Sequence, residues 1–250
     1  MLAVWREVLA AAEWLPRVPA LRGAVRLLGD GAAFVLEGGR RWPTARRFFD
    51  AVPALSAVWW EPEGGDRRLL HDRRADAAPG AAAPGASFVQ VNPAVADALA
   101  RHVVERVLAY RPATVVDAYA GAGDSAVDLA GRGIRVQAIE LDAEAAAWAG
   151  SRLPAGSAVH QGRAEELIAG LLPADVVLLN PPRAGVDERV TAALAAAPPR
   201  AVVYVSCNPA TLARDVARLP GWRVGSTVAF DMFPQTAHVE TVCELLPEDA

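Results

Sequence analysis

The chain of 250 residues has no lysine: all 25 of its basic residues are arginine. With abundant Ala, Gly and Pro, this is the mark of GC-rich coding, so arginine clusters carry less information than usual. Only two cysteines occur, Cys207 and Cys243. They cannot supply the four thiolates of an iron-sulfur cluster or of an all-cysteine zinc site. They also give no disulfide framework, and a cytoplasmic protein is expected. No uncharged apolar run approaches the roughly 18 residues of a membrane-spanning helix. The stretch around Leu2, Trp5, Val8, Leu9 and Ala12 contains Glu7 and Glu13, has helical spacing and lacks a basic lead-in. It therefore reads as a helix and not as a signal peptide.

Charge is divided unevenly. Residues 1–86 hold 12 Arg against 10 acids, whereas the remainder holds 13 Arg against 19 acids, within a net charge of -4. The pairs Arg40-Arg41, Arg46-Arg47, Arg67-Arg68 and Arg73-Arg74 fit a solvated surface as well as they fit contact with RNA. An Ala/Pro/Gly-rich stretch, ADAAPGAAAPGA at 75–86, reads as a linker. The expected division is a reduced N-terminal α+β appendage at 1–85 and a larger domain at 86–250.

Beyond the linker the pattern is regular. Asn92 and Pro93 make an N-cap and first-turn pair for a helix through about Val107, with Val95, Leu99 and Val103 on one face. The β-rich runs TVVDAY, IRVQAIE, SAVHQ, ADVVLLN and RAVVYVS then alternate with Ala-rich helical segments. This predicts a doubly wound, mostly parallel seven-stranded α/β sheet of Rossmann type. No helix fits between WRVGSTVAF and HVETVCELL, so the last two strands should pair antiparallel.

Three segments at the predicted carboxyl edge carry chemistry. Asp117-Ala-Tyr119-Ala-Gly121-Ala-Gly123-Asp124 is a glycine loop in which the backbone can turn tightly and approach a ligand. Glu140 closes the next strand, where a carboxylate can accept from both ribose hydroxyls of a nucleoside. Gly121, Gly123 and Ala126 also satisfy the dinucleotide fingerprint, which leaves a nicotinamide cofactor open on this motif alone. Asn180-Pro181-Pro182-Arg183 ends the fourth strand, where enzymes using S-adenosylmethionine present a polar group and a rigid turn to the methyl acceptor. Ser206-Cys207-Asn208-Pro209 ends the fifth. Most cysteines are inert core residues, which suits Cys243 in its apolar run. Cys207 lies beside polar neighbours at the ligand edge, where a thiolate can be a nucleophile.

With MFPQTAHVE at 232–240, these pieces make the chain resemble the RNA uracil-C5 methyltransferases, which form 5-methyluridine in tRNA and large-subunit rRNA. SFVQVN, DAYAGAGD, IELD, NPPRAG, SCNP and MFPQTAHVE follow in family order over residues 86–246; residues 1–85 resemble only loosely a shortened central domain. The resemblance implies S-adenosylmethionine as cofactor, contacted by Gln90, Tyr119, Asp124, Glu140 and Asn180 with the glycine loop. It implies Cys207 as nucleophile, Glu240 as base, a flipped uridine in tRNA or rRNA as partner, and neither metal nor obligate protein partner. The chain would be an N-terminally shortened member, without the family's OB-type domain or iron-sulfur cluster. It departs from the family pattern in having Asn180 where Asp is normal, Asp124 where an amide is common, and Arg163 near the expected adenine position. Asn-Pro-Pro also admits an exocyclic amino methyltransferase, although Arg183 replaces the aromatic that would stack on the base. A weakly catalytic RNA-binding or folding factor is the remaining alternative.

Overall fold

The computed structural model describes residues 2–28, 31–65, 67–73, 93–232, 236 and 239–248. The expected linker, Gln90, Asn92 and Phe233 lie outside them. The chain divides into two compact units, Met1–Val89 and Gln90–Ala250.

In the first unit, helix α1 (Leu2–Ala10) precedes strands β1 (Arg22–Leu28) and β2 (Gly31–Glu37), helix α2 (Ala45–Ala51), and strands β3 (Leu55–Glu61) and β4 (Arg68–Asp72). The four strands lie in chain order; β2 and β3 are parallel, and the outer pairings are antiparallel. Because α2 crosses over between parallel strands, its apolar face must cover the sheet. Phe48 and Phe49 accordingly pack with Phe34, Leu36, Leu55 and Trp42. Burying each such side chain contributes about 1.5–3 kcal/mol. Arg73 closes the unit: its guanidinium stacks 4.0 Å from Phe49 and donates to the carbonyls of Phe49 (2.6 Å) and Val52 (3.0 Å) at the end of α2.

In the second unit, α3 (Pro93–Ala109) leads to β5 (Thr114–Ala118), α4 (Asp124–Gly131), β6 (Arg135–Glu140), α5 (Ala143–Arg152), β7 (Ala158–Gln161) and α6 (Ala164–Leu167). Then follow β8 (Val176–Leu179), α7 (Glu188–Ala196), β9 (Ala201–Ser206), α8 (Pro209–Ala217), β10 (Trp222–Phe230) and β11 (Glu240–Pro247). The sheet order is β10-β11-β9-β8-β5-β6-β7; five strands from β7 to β9 run parallel, and β11 pairs antiparallel with both β9 and β10. This is the expected sheet, including the antiparallel end.

Alternation along the strands creates two cores. Val115, Val136, Leu178 and Val203 meet Leu99, Val103 and Leu129 from α3 and α4. On the other face, Val116, Ile139, Val177, Leu179 and Val202 meet Val190, Leu194 and Leu212 from α7 and α8. All four residues of β8 are buried, which is why its sequence VVLL shows no polar alternation. Cys243 is 2% exposed in this second core, and burial pushes its thiol up. From β5 the chain moves outward to β6 and β7, then returns to β8 on the opposite side. The carboxyl ends of β5 and β8 thus flank a topological switch point, where open α/β sheets bind ligands.

Candidate functional site

The β5 end is a strapped loop. Tyr119 has a positive φ of 66°, and Gly121 and Gly123 have φ of 58° and 81°. A Cβ on Gly123 would sit 2.5 Å from the Ala149 Cβ, so only glycine fits against α5; one on Gly121 would meet nothing within 4 Å. Glu140, ending β6, accepts from the Gly121 N–H (2.7 Å) with one oxygen and from the Asp142 N–H (2.7 Å) with the other. Each oxygen retains a lone pair for a further donor. From α5, Arg152 donates to the Ala122 carbonyl and to Asp124 (2.8 Å). Asp124 is therefore ion-paired, and its charge is already balanced by Arg152.

Beneath the loop lies Asp117, 2% exposed, with one carboxylate oxygen that has no hydrogen-bond partner. Burial, reinforced by the charge of Glu140, pushes its carboxyl up to about 7. Tyr119 is half-buried against the second core; burial and the carboxylates of Glu165, Asp187 and Asp215 push its hydroxyl up to about 12, so it is a neutral donor at ordinary pH.

Across the switch point, the Asn180 N–H donates to the Ala118 carbonyl (3.3 Å), bringing the exposed Asn180 side chain to the same edge as the glycine loop. Pro182 and Gly185 close a turn through a 2.8 Å hydrogen bond, and Arg183 occupies that turn. Arg163 precedes α6 and pairs with Glu165 at 3.6 Å, without capping the helix.

The β9 end is built around Cys207. Ser206 Oγ accepts from the Asn208 N–H (3.1 Å) and donates to the Asn208 carbonyl (3.0 Å), which shapes the turn. Asn208 caps α8 by accepting from the Ala210 N–H (3.1 Å), and Pro209 fills the first helical position. Three of the four SCNP residues thus serve to present the fourth, half-buried Cys207, at the head of α8. The antiparallel β11–β9 ladder ends at the pair Thr241–Ser206, so Glu240 and Cys207 are the next residues of their two segments at the same end of the sheet. Glu240 is 4% exposed; burial pushes its carboxyl up, and the charge of Arg183 opposes this.

Tyr119, Gly121, Gly123, Asp124, Glu140, Asn180, Cys207 and Glu240 therefore share one sheet edge. Gln90 is outside the described residues. Sequence reasoning did not single out Arg152 or the buried Asp117 for the site, because Arg152 acts through folded contacts 28 and 30 positions distant and Asp117 through burial. No group of three or more metal-ligating side chains occurs among the described residues, and no described helix is long and apolar enough to cross a membrane.

Residues 163–247 match the family model described as tRNA (uracil-5-)-methyltransferase. The chain is 36% identical over 176 residues to the 23S rRNA (uracil(747)-C(5))-methyltransferase of Shewanella amazonensis, covering 66% of this chain and 44% of that protein. It is 38% identical over 170 residues to an uncharacterized RNA methyltransferase of Listeria monocytogenes, covering 64% of this chain and 37% of the other. The chain thus spans less than half the length of these curated relatives. Among solved structures, the Pyrococcus abyssi tRNA (uracil-54, C5)-methyltransferase, in complex with S-adenosyl-L-homocysteine, matches with a TM-score of 0.61 and 25% identity, covering 90% of this chain and 58% of that one. Family model, ribosomal-RNA relative and solved tRNA enzyme are all described as uracil-C5 methyltransferases of RNA, and together they support a place for this chain in that family.

Proposed function

We propose that this chain methylates carbon 5 of a uridine in tRNA or rRNA. The observation that supports the reading is that the β11–β9 ladder ends at Thr241–Ser206, which leaves a buried carboxyl, Glu240, and the half-buried Cys207 as the next residues at the ligand-binding edge. The cofactor proposed is S-adenosylmethionine, and the residues present suit it. Open space over Gly121 leaves room for a nucleoside, and the free lone pairs on Glu140 offer acceptors for its ribose hydroxyls. Tyr119, Asp124 and Asn180 line the same edge, and Gln90 belongs to the proposed set by its motif. S-adenosylmethionine held there supplies the electrophilic methyl that carbon 5 takes.

The chain's own groups do the rest. Carbon 5 of uracil is a weak nucleophile. The Cys207 thiolate adds to carbon 6, forming a C–S bond and moving the ring's π electrons into an enolate with carbanion character at carbon 5. After methylation, Glu240 removes the carbon-5 proton; the double bond re-forms and the Cys207 thiolate leaves. Glu240 then gives its proton to solvent. Attack on a ring face requires an unstacked base, so the uridine is flipped out of its stack. The RNA chain itself is proposed to contact the first unit, where Arg17, Arg40 and Arg41 line a cleft of about 920 Å³ floored by Gly38 and Gly39.

The test is incubation of the purified chain with total RNA lacking 5-methyluridine and with methyl-labelled S-adenosylmethionine, followed by nucleoside analysis. Label is expected in 5-methyluridine. Label on an adenine or cytosine amine would establish amino methylation instead, and no label on any RNA would favour a binding factor.

A further inference from the structure

One carboxylate outside the reacting groups joins three elements of the site. Asp215, in α8, is 1% exposed. One of its oxygens accepts from the Tyr204 hydroxyl of β9 (2.8 Å) and from the Val186 N–H (2.9 Å). The other accepts from Arg214 Nε (3.0 Å) and Nη2 (2.7 Å) and from Arg218 (3.4 Å). Arg214 Nη2 also reaches the Ala184 carbonyl at 2.7 Å. Between these contacts sits Gly185, with φ of 79°, where a Cβ would lie 2.2 Å from Asp215 and 2.6 Å from Arg214. The 182–186 turn is therefore seated directly on α8, and the head of that helix presents Cys207.

A buried, fully paired carboxylate contributes little net stability, because desolvation offsets attraction; what such a group specifies is geometry. The geometry it sets here is that of Arg183, in the middle of the seated turn, whose charge acts on Glu240. We propose that Asp215, with Arg214 and Tyr204, is a positioning residue for the uridine C5 reaction: it locks the Arg183 turn to the strand and the helix, β9 and α8, that flank Cys207. This rests on the uridine C5 reading above.

Asp215→Ala would leave the Tyr204 hydroxyl and the Val186 N–H without their buried acceptor and destabilise the region, so the test uses its partners. Arg214→Ala and Tyr204→Phe are assayed for 5-methyluridine formation well below their melting temperatures. Each is expected to lower kcat by about 10- to 100-fold, as misplacement near 1 Å does. The RNA KM and the cofactor Kd should stay within about twofold, which marks a loss confined to the transition state. Arg214→Lys should recover part of the loss. In an Arg183→Ala background, Arg214→Ala should cost less than about threefold, because the group it places is gone. Unchanged kcat, losses that follow the unfolded fraction, or full additivity with Arg183→Ala would each overturn the positioning role. An inactive wild-type chain would instead overturn the uridine C5 reading, and this proposal with it.

Discussion

Asp117 has no polar partner for one of its oxygens and faces the charge of Glu140, so the fold favours its protonated form. Its carboxyl lies at about 7 in the folded chain, against about 3.9 when unfolded. The folded state thus holds a proton that unfolding releases between those values, and stability falls as pH rises from about 4 to 7. Below that window the cost is absent; above it, charging Asp117 costs on the order of a few kcal/mol. Asp117→Asn should therefore raise the thermal midpoint at pH 8 and leave it nearly unchanged at pH 4. Equal shifts at the two pH values would contradict a charged, unpartnered Asp117.

At the level of elements, the two glycines of the β5 loop do different work. Gly123 is held against Ala149 of α5, whereas the space over Gly121 is open. Gly123→Ala adds overpacking to left-handed backbone strain and should cost roughly 2–4 kcal/mol of stability. Gly121→Ala should cost only the backbone part, about 1–2 kcal/mol, yet weaken cofactor binding more by filling open space. Thermal unfolding paired with calorimetry separates the two, and a reversed order would refute the assignment of that space. Much of this architecture was legible. The run WRVGSTVAF coincides with β10, and VVLL with β8, because periodicity and burial pattern are local properties of a strand. The SCNP turn was legible as a motif, but the division of labour within it emerges only from the hydrogen bonds of Ser206 and Asn208. Asp215 was not legible: nothing in TLARDVARL shows that a helix carboxylate meets the Val186 N–H, 29 positions away. The parallel β2–α2–β3 crossover was equally hidden, since ARRFFDA is only seven residues long.

On the scale of the whole molecule, a net charge of -4 sets the terms of the proposed RNA binding. Excess positive charge is confined to residues 1–86, so nonspecific affinity should be modest and strongly dependent on salt. If Arg17 and Arg41 of the first unit meet phosphates, replacing both with Ala should flatten the log K against log salt slope by about 1.4 for single-stranded RNA. An unchanged slope would move the RNA path away from that cleft. The catalytic account depends on a single bond, between Cys207 and carbon 6 of the target base. RNA containing 5-fluorouridine probes it directly, because fluorine cannot leave carbon 5 as a proton and elimination is blocked. Incubated with S-adenosylmethionine and such RNA, the chain should form a covalent complex that survives denaturing electrophoresis, and Cys207→Ala should abolish it; a complex that persists in Cys207→Ala would contradict the mechanism.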